Sequence, residues 1–88
     1  MPYIKRGQRD RLDPAIRELA RHVSEPGELN YAISRLALAY MSLFIRKGYT
    51  TRSMIHGVLQ DVTDEWYRRA MAPYEDKKML ENGDIGYE

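Results

Sequence analysis

Arginines, lysines and tyrosines gather in two parts of this chain, and together they have the chemistry of a phosphate clamp. Two of them lie near the middle of the sequence and six near its end: Tyr31, Arg35, Tyr67, Arg68, Arg69, Tyr74, Lys77 and Lys78. A guanidinium binds a phosphate through two parallel hydrogen bonds, and a tyrosine ring can stack on a base. The pattern predicts a site for a phosphate-bearing, nucleotide-like ligand. The alternative is that the tyrosines pack on helices and keep their hydroxyls in water.

Arg69 is the most informative of these residues. With successive helical residues placed about 100° apart, it lies within about 20° of the centre of an apolar stripe. A cation at an apolar edge needs a partner, because a lone buried charge is costly. Glu65 at i−4, a carboxylate of another subunit and a ligand phosphate are the three options. The spacing also predicts an Asp64–Arg68 ion pair beside Glu65–Arg69.

Metal and catalytic chemistry have weaker support in the sequence. Asp61, Asp64 and Glu65 share one predicted helix, but a magnesium site of this kind needs a second acidic pair on a facing helix. His22 and His56 do not have the spacing of metal ligands. We therefore expect no metal, no cofactor and no catalytic residue, and the chain is not predicted to be an enzyme.

Residues 47–53 join two predicted helices and resemble the turn of a helix-turn-helix. The helix that follows carries the acidic cluster, which would repel DNA phosphates. DNA binding is therefore the third choice among functions, and an ordinary helical hairpin is preferred.

Apolar residues recur at helical spacing and predict an all-α fold with three main helices and a short fourth one. The first helix is expected to start at Asp13-Pro14, because Asp is a good N-cap and Pro suits the first helical position. Residues 1–12 are expected to form an extended basic arm.

The second helix is predicted over residues 28–47, with Gly48 as a left-handed C-terminal cap. The third is predicted to run from about residue 50 to Met71. Pro73 then either kinks it or opens a fourth helix over residues 73–81.

Residues 82–88 are expected to be an irregular acidic tail. The prediction is one α-helical domain over residues 1–88, arranged as an antiparallel bundle.

The second helix is apolar on two sides. One face carries the predicted core residues Leu29, Ile33, Leu36, Tyr40, Leu43 and Phe44. Leu38, Met41 and Ile45 lie on the opposite face, and a helix that is apolar all round must be covered on both sides. Residues 1–23 carry a charge of +3 and residues 73–88 carry −3, so neighbouring subunits can pair through opposite charges. We therefore predict a homo-oligomer with Leu38, Met41 and Ile45 at its interface.

Composition sets the limits of this interpretation. The chain has 88 residues, 43% of them hydrophobic, no cysteine and a net charge of +1. The absence of cysteine excludes disulfides and thiolate sites. The small net charge argues against a broad nucleic-acid surface. No apolar run reaches the roughly 18 residues of a membrane span, so we expect a cytoplasmic protein without a membrane partner.

Several segments together resemble a small group of hypothetical proteins from bacterial and phage genomes. They are Met1-Pro2-Tyr3-Ile4, Leu12-Asp13-Pro14, residues 27–33, residues 66–69, residues 72–78 and residues 81–84. The group has no assigned activity, so the resemblance implies a phage or bacterial context, with host cytoplasm as the location for a phage protein, and no catalytic residues.

The leading functional hypothesis is a homo-oligomer that binds a nucleotide or cyclic nucleotide at subunit contacts. It would be similar to small oligomeric phage proteins that sequester cyclic nucleotides, a comparison that rests on size, helicity and context. The alternative is a structural or regulatory protein-interaction module without a ligand.

Overall fold

The computed structural model describes residues 4–86, and within them the chain is helical without a strand. Its elements are α1 (Arg6–His22), α2 (Pro26–Met41), α3 (Tyr49–Trp66), a π-helical turn (Tyr67–Met71) and α4 (Ala72–Asn82). The all-α prediction is confirmed. The chain divides into an N-terminal unit, Met1–Tyr40, and a C-terminal unit, Met41–Glu88. The single domain stays a prediction, and each unit is described by itself.

Helix α1 begins earlier than predicted. Residues 6–12 are helical, so the prediction of an extended arm is wrong there; residues 1–3 lie outside the described residues. Gln8 stabilises the start, because its Oε1 accepts the backbone N–H of Lys5 at 2.9 Å and satisfies a donor that the helix leaves unpaired. Pro14 therefore lies inside α1 rather than at its first position.

Helix α2 ends at Met41, six residues before the predicted end. Gly48 is the N-cap of α3, with an extended φ of −87°, so the predicted left-handed C-terminal cap is wrong. Ile45 consequently lies in the connecting loop, not on the α2 face that carries Leu38 and Met41.

Side chains satisfy the carbonyl groups of this loop. Lys47 Nζ donates to the carbonyl oxygen of Phe44 at 2.6 Å. The Thr51 hydroxyl donates to the carbonyl oxygen of Arg46 at 2.7 Å. Lone carbonyls near a helix end are costly unless they are paired, so these two bonds stabilise the early stop.

Pro73 lies in a continuous run of helix from Tyr49 to Asn82. A proline lacks the N–H for an i→i−4 bond, and its ring collides with the carbonyl at i−4 in a regular α-helix. The π turn before Pro73 widens the backbone at this point, and the Ala72 N–H donates to the Tyr67 carbonyl five residues earlier. The sequence left open whether Pro73 kinks the third helix or opens a fourth one; the structure shows a short C-terminal helical piece, α4, joined to α3 through the π turn. Gly83 follows it at φ 83°, a region that glycine adopts without steric cost, and residues 83–86 have no helix, as predicted for the tail.

No side chain among residues 4–86 is buried. The predicted core of α2 is exposed in this chain: Leu29, Ile33 and Leu36 are about half exposed or more. Val23 and Ala32, between α1 and α2, are partly covered. Neither unit therefore contains a hydrophobic core of its own.

Candidate functional site

The eight predicted ligand residues are divided between the two units. Tyr31 and Arg35 lie on α2 in the N-terminal unit; the other six lie on the π turn and α4 in the C-terminal unit. The structure therefore divides the candidates into two groups, one in each unit.

Arg69 in the π turn has the predicted partner. Its Nη1 lies 3.5 Å from Glu65 Oε2, and Arg68 Nη2 lies 3.8 Å from the same oxygen. The Glu65–Arg69 pair is confirmed. The Asp64–Arg68 pair is wrong, since Arg68 contacts Glu65 and Asp64 accepts a hydrogen bond from Gln60 Nε2 at 3.2 Å. Both guanidinium groups are thus beside a carboxylate, which competes with an incoming phosphate.

The π turn also brings together two residues that are eight positions apart. The Tyr67 hydroxyl donates to Glu75 Oε1 at 3.1 Å. In a regular α-helix eight residues turn the chain about 80° past two full turns. The extra residue of the π turn leaves the rotation of about seven residues, which aligns the two side chains. The hydrogen bond and negative charge of Glu75 raise the pKa of Tyr67 above its ordinary value.

Helix α4 carries the remaining candidates. Lys78 Nζ lies 3.1 Å from Glu81 Oε2 and 5.6 Å from the centroid of the Tyr74 ring, which is cation–π range. Lys77 has no hydrogen bond or ion pair with another described residue. In this unit, Lys77 is thus the one candidate cation that its own chain leaves without a carboxylate among residues 4–86.

Tyr31 and Arg35 line a cleft of about 520 Å³ between α1 and α2. Within residues 4–86, the Arg35 side chain has no hydrogen bond or ion pair. His22, on the α1 side of the cleft, lies 3.2 Å from Glu18 Oε1. This group offers an unpaired guanidinium beside an aromatic ring, the arrangement that the phosphate hypothesis requires.

Glu28 also lines this cleft and fixes the start of α2. Its Oε1 accepts the Ser24 backbone N–H at 2.8 Å, the Ser24 hydroxyl at 2.7 Å and the Glu25 N–H at 3.1 Å. Hydrogen bonds from Ser24, first from its backbone and then from its hydroxyl, lower the pKa of Glu28, and the Glu25 N–H adds to this. Three donors on one oxygen favour the ionised carboxyl, so this glutamate is a helix cap rather than a catalytic acid.

The structure leaves the predicted interface residues in different settings. Leu38 is 50% exposed and Met41, the last residue of α2, is partly covered. Ile45 is 99% exposed in the loop. Leu38 and Met41 share one α2 face, and Ile45 does not belong to that face.

Two carboxylates that organise these groups, Glu28 and Glu75, were not among the predicted site residues. Glu28 could have been found from its place three residues after Glu25, the residue before α2, because a glutamate at the third helical position accepts the N–H of the N-cap residue. Glu75 has no such signal, because its spacing from Tyr67 brings the two together only when a π turn lies between them.

Residues 4–86 contain no group of three or more histidine or carboxylate side chains that could hold a metal ion. Over the same residues, no helix combines the length and apolar character needed to cross a membrane.

Comparison with known proteins gives one match. No curated protein and no solved structure matches this chain. A family model described as a domain of unknown function, DUF6899, matches residues 1–85. Because that match covers nearly the whole chain, this protein belongs to the DUF6899 family.

Proposed function

We propose that the chain is a non-enzymatic interaction protein that acts as a homo-oligomer. The observation that carries this proposal is the absence of any buried side chain among residues 4–86, together with 24 exposed large apolar or aromatic residues. Such residues are the ones that folded proteins bury most often. Apolar surface on this scale marks an interaction site rather than a free surface.

The charges of the chain support association between copies. The basic stretch at residues 1–23 and the acidic stretch at residues 73–88 carry charges of +3 and −3. Opposite patches steer copies toward one another and fix their register. The proposal places the protein in the cytoplasm of a bacterium, or of the host if a phage encodes it.

The test is native mass spectrometry of the full chain together with sedimentation velocity over a range of concentrations. We expect a dimer or a larger closed oligomer, and a melting temperature that rises with protein concentration because association stabilises the folded state. A chain that stays monomeric and melts at one temperature at all concentrations would refute the proposal.

A second candidate function is binding of a phosphate-bearing ligand such as a nucleotide or cyclic nucleotide. The observation that favours it is the unpaired Arg35 beside Tyr31 in the α1–α2 cleft. A guanidinium without a carboxylate partner is free to bind phosphate through two hydrogen bonds.

Arg35 and Arg69 form a matched pair for this second candidate. Arg35→Lys keeps the positive charge and removes the planar fork, so it should abolish the thermal shift that a nucleotide or cyclic-nucleotide panel gives with the wild type. Arg69→Lys is the control, because Arg69 already pairs with Glu65. A wild type that no member of the panel shifts would exclude ligand binding and leave self-association intact.

A further inference from the structure

Helices α1 and α2 each carry an apolar seam with the spacing of a coiled coil. In α1 the seam is Leu12, Ile16, Leu19 and the C-cap Val23; in α2 it is Leu29, Ile33, Leu36 and Tyr40. Both have steps of four, three and four residues, which keep a row of side chains on the face that meets a partner helix. Apart from Val23, these residues are 46% to 64% exposed.

Five of the eight seam residues line one groove where α1 and α2 approach their connection. Its volume is about 290 Å³, and it is lined by Ile16, Leu19 and Val23 from the α1 side and by Leu29, Ala32 and Ile33 from α2. This apolar groove is the space that a bundle core occupies. The leucine and isoleucine side chains around this groove are therefore left about half exposed in the single chain.

The residues beside the seams indicate how many helices meet here. Five of the eight flanking positions are alanine: Ala15, Ala20, Ala32, Ala37 and Ala39. A two-stranded coiled coil carries charged residues at these positions. A helix that faces two neighbours in a bundle instead has a third apolar position beside the seam. Each helix of the pair thus has an apolar face wide enough for two neighbours.

We propose that the α1–α2 pair docks, groove to groove, against the same pair of a second copy and forms a four-helix bundle. The inference rests on the proposed self-association and names the surface that carries it. A two-fold dimer uses the same patch on both copies, and here the apolar seams of one copy would pack against the same seams of the other. Each copy supplies the two helices that the other lacks.

The area of the seams fits this partner. A half-exposed leucine or isoleucine leaves roughly 50 Å² of apolar surface to cover, so the six seam residues of these types, together with a similar area from Tyr40, offer roughly 350 Å² per copy. A standard interface covers about 800 Å² per partner, a little over half of it apolar. The seams therefore supply most of the apolar area that a stable dimer needs.

Helix α3 fits the groove less well than a second copy does. Its seam at Ile55, Leu59, Val62 and Trp66 has the same spacing, but none of its four flanking positions is alanine, and one of them is Glu65. Glu65 forms ion pairs with Arg68 and Arg69, and a dry bundle core would expose these groups to desolvation. The alanine flanks are confined to α1 and α2.

Leu36 and Leu38 provide a matched test on one helix. They are two positions apart on α2 and similarly exposed, and Leu36 lies on the seam whereas Leu38 lies on the opposite side. In sedimentation equilibrium, Leu36→Glu should weaken the dimer on the order of 100-fold or more, because it buries a charge in both copies. Leu38→Glu should weaken it roughly fivefold or less.

Ala32→Leu is a second test of the groove that introduces no charge, so its effect on the dimer can be separated from a failure to fold. Leucine is nearly as good a helix former as alanine, so circular dichroism should show helicity retained. In a filled groove the larger side chain overpacks the interface and should weaken the dimer by roughly tenfold or more. In an open groove it would fill space, leaving the dimer unchanged and raising the melting temperature.

The outcomes separate the two proposals. Dissociation by Leu36→Glu and Ala32→Leu, with Leu38→Glu close to wild type, supports docking through the groove. An oligomer that Leu38→Glu dissociates as strongly as Leu36→Glu, or that Ala32→Leu leaves intact, overturns the groove docking and keeps self-association. A monomeric wild type overturns the proposed function itself.

Discussion

Replacing Pro14 by alanine tests the most unexpected part of the fold. Pro14 is the ninth of the 17 residues of α1. At this position proline cannot donate to the carbonyl of Asp10, four residues earlier, and its ring crowds that carbonyl. Alanine restores the missing hydrogen bond and removes the crowding. We therefore expect Pro14→Ala to increase both helicity and stability.

The size of the effect follows from two opposing terms. Proline is about 3 kcal/mol less favourable than alanine inside a helix. Alanine gives the unfolded chain more freedom, which costs about 0.4–1 kcal/mol. The net gain is about 2 kcal/mol, and for a chain of this size that corresponds to a rise of about 10 °C in melting temperature.

Thermal melts followed by far-UV circular dichroism measure this change, at one fixed protein concentration. Pro26→Ala is the control, because Pro26 is the first residue of α2, where proline is favourable. That substitution should leave stability unchanged or lower it by up to about 1 kcal/mol. If Pro14→Ala behaves like Pro26→Ala, α1 begins at Asp13 and not at Arg6.

Three further predictions concern single contacts. Because the pKa of Glu28 is lowered, its hydrogen bonds to Ser24 stabilise α2 at pH values above the ordinary pKa of a glutamic acid and are lost as pH falls through the lower folded pKa. An NMR titration of Glu28 should show this low midpoint, and Glu28→Gln should make helicity less dependent on acid pH. Because the pKa of Tyr67 is raised, its hydrogen bond to Glu75 stabilises the fold at neutral pH and is lost as pH rises through the raised pKa. Glu75→Gln should return the NMR-measured pKa of Tyr67 toward its ordinary value, and an unchanged pKa would contradict the contact. Gly48→Ser should stabilise the start of α3 by a few tenths of a kcal/mol, because serine supplies the cap acceptor that Gly48 lacks; a lower melting temperature would instead indicate a left-handed glycine.

The sequence predicted the helical elements well where the pattern was local. Apolar spacing identified the all-α fold, the helical stretch through Met71 and the piece after Pro73. The start of α1 was missed because Asp13-Pro14 is a strong start signal, while the Gln8 bond that begins the helix earlier has no comparable pattern. The end of α2 was missed because the apolar periodicity continues through Phe44. The helix ends at Met41, and Lys47 and Thr51 then bind carbonyl groups of the loop that follows it.

In the candidate site, too, the contacts that follow from regular helical spacing were predictable and the others were not. The Glu65–Arg69 pair follows from i,i+4 spacing, and the structure confirms it. The Tyr67–Glu75 bond does not follow, since it depends on a backbone irregularity. The pattern also identified which faces are apolar, but periodicity carries no information on what covers such a face. For that reason Leu36 was predicted to be in a core and is exposed in the single chain.

The π turn between Trp66 and Pro73 also constrains how this chain can change in length. Deleting one residue, such as Ala70, would return the segment to a regular α-helix in which Tyr67 and Glu75 stay aligned, because the seven positions then between them complete almost two turns. Pro73 would lose the widened backbone that accommodates it, and its ring would crowd the carbonyl four residues earlier. Inserting one residue, with the π turn kept, would instead rotate α4 by about 100° relative to α3 and separate Tyr67 from Glu75. A deletion in this segment is therefore opposed by Pro73, whereas an insertion would alter which face α4 presents.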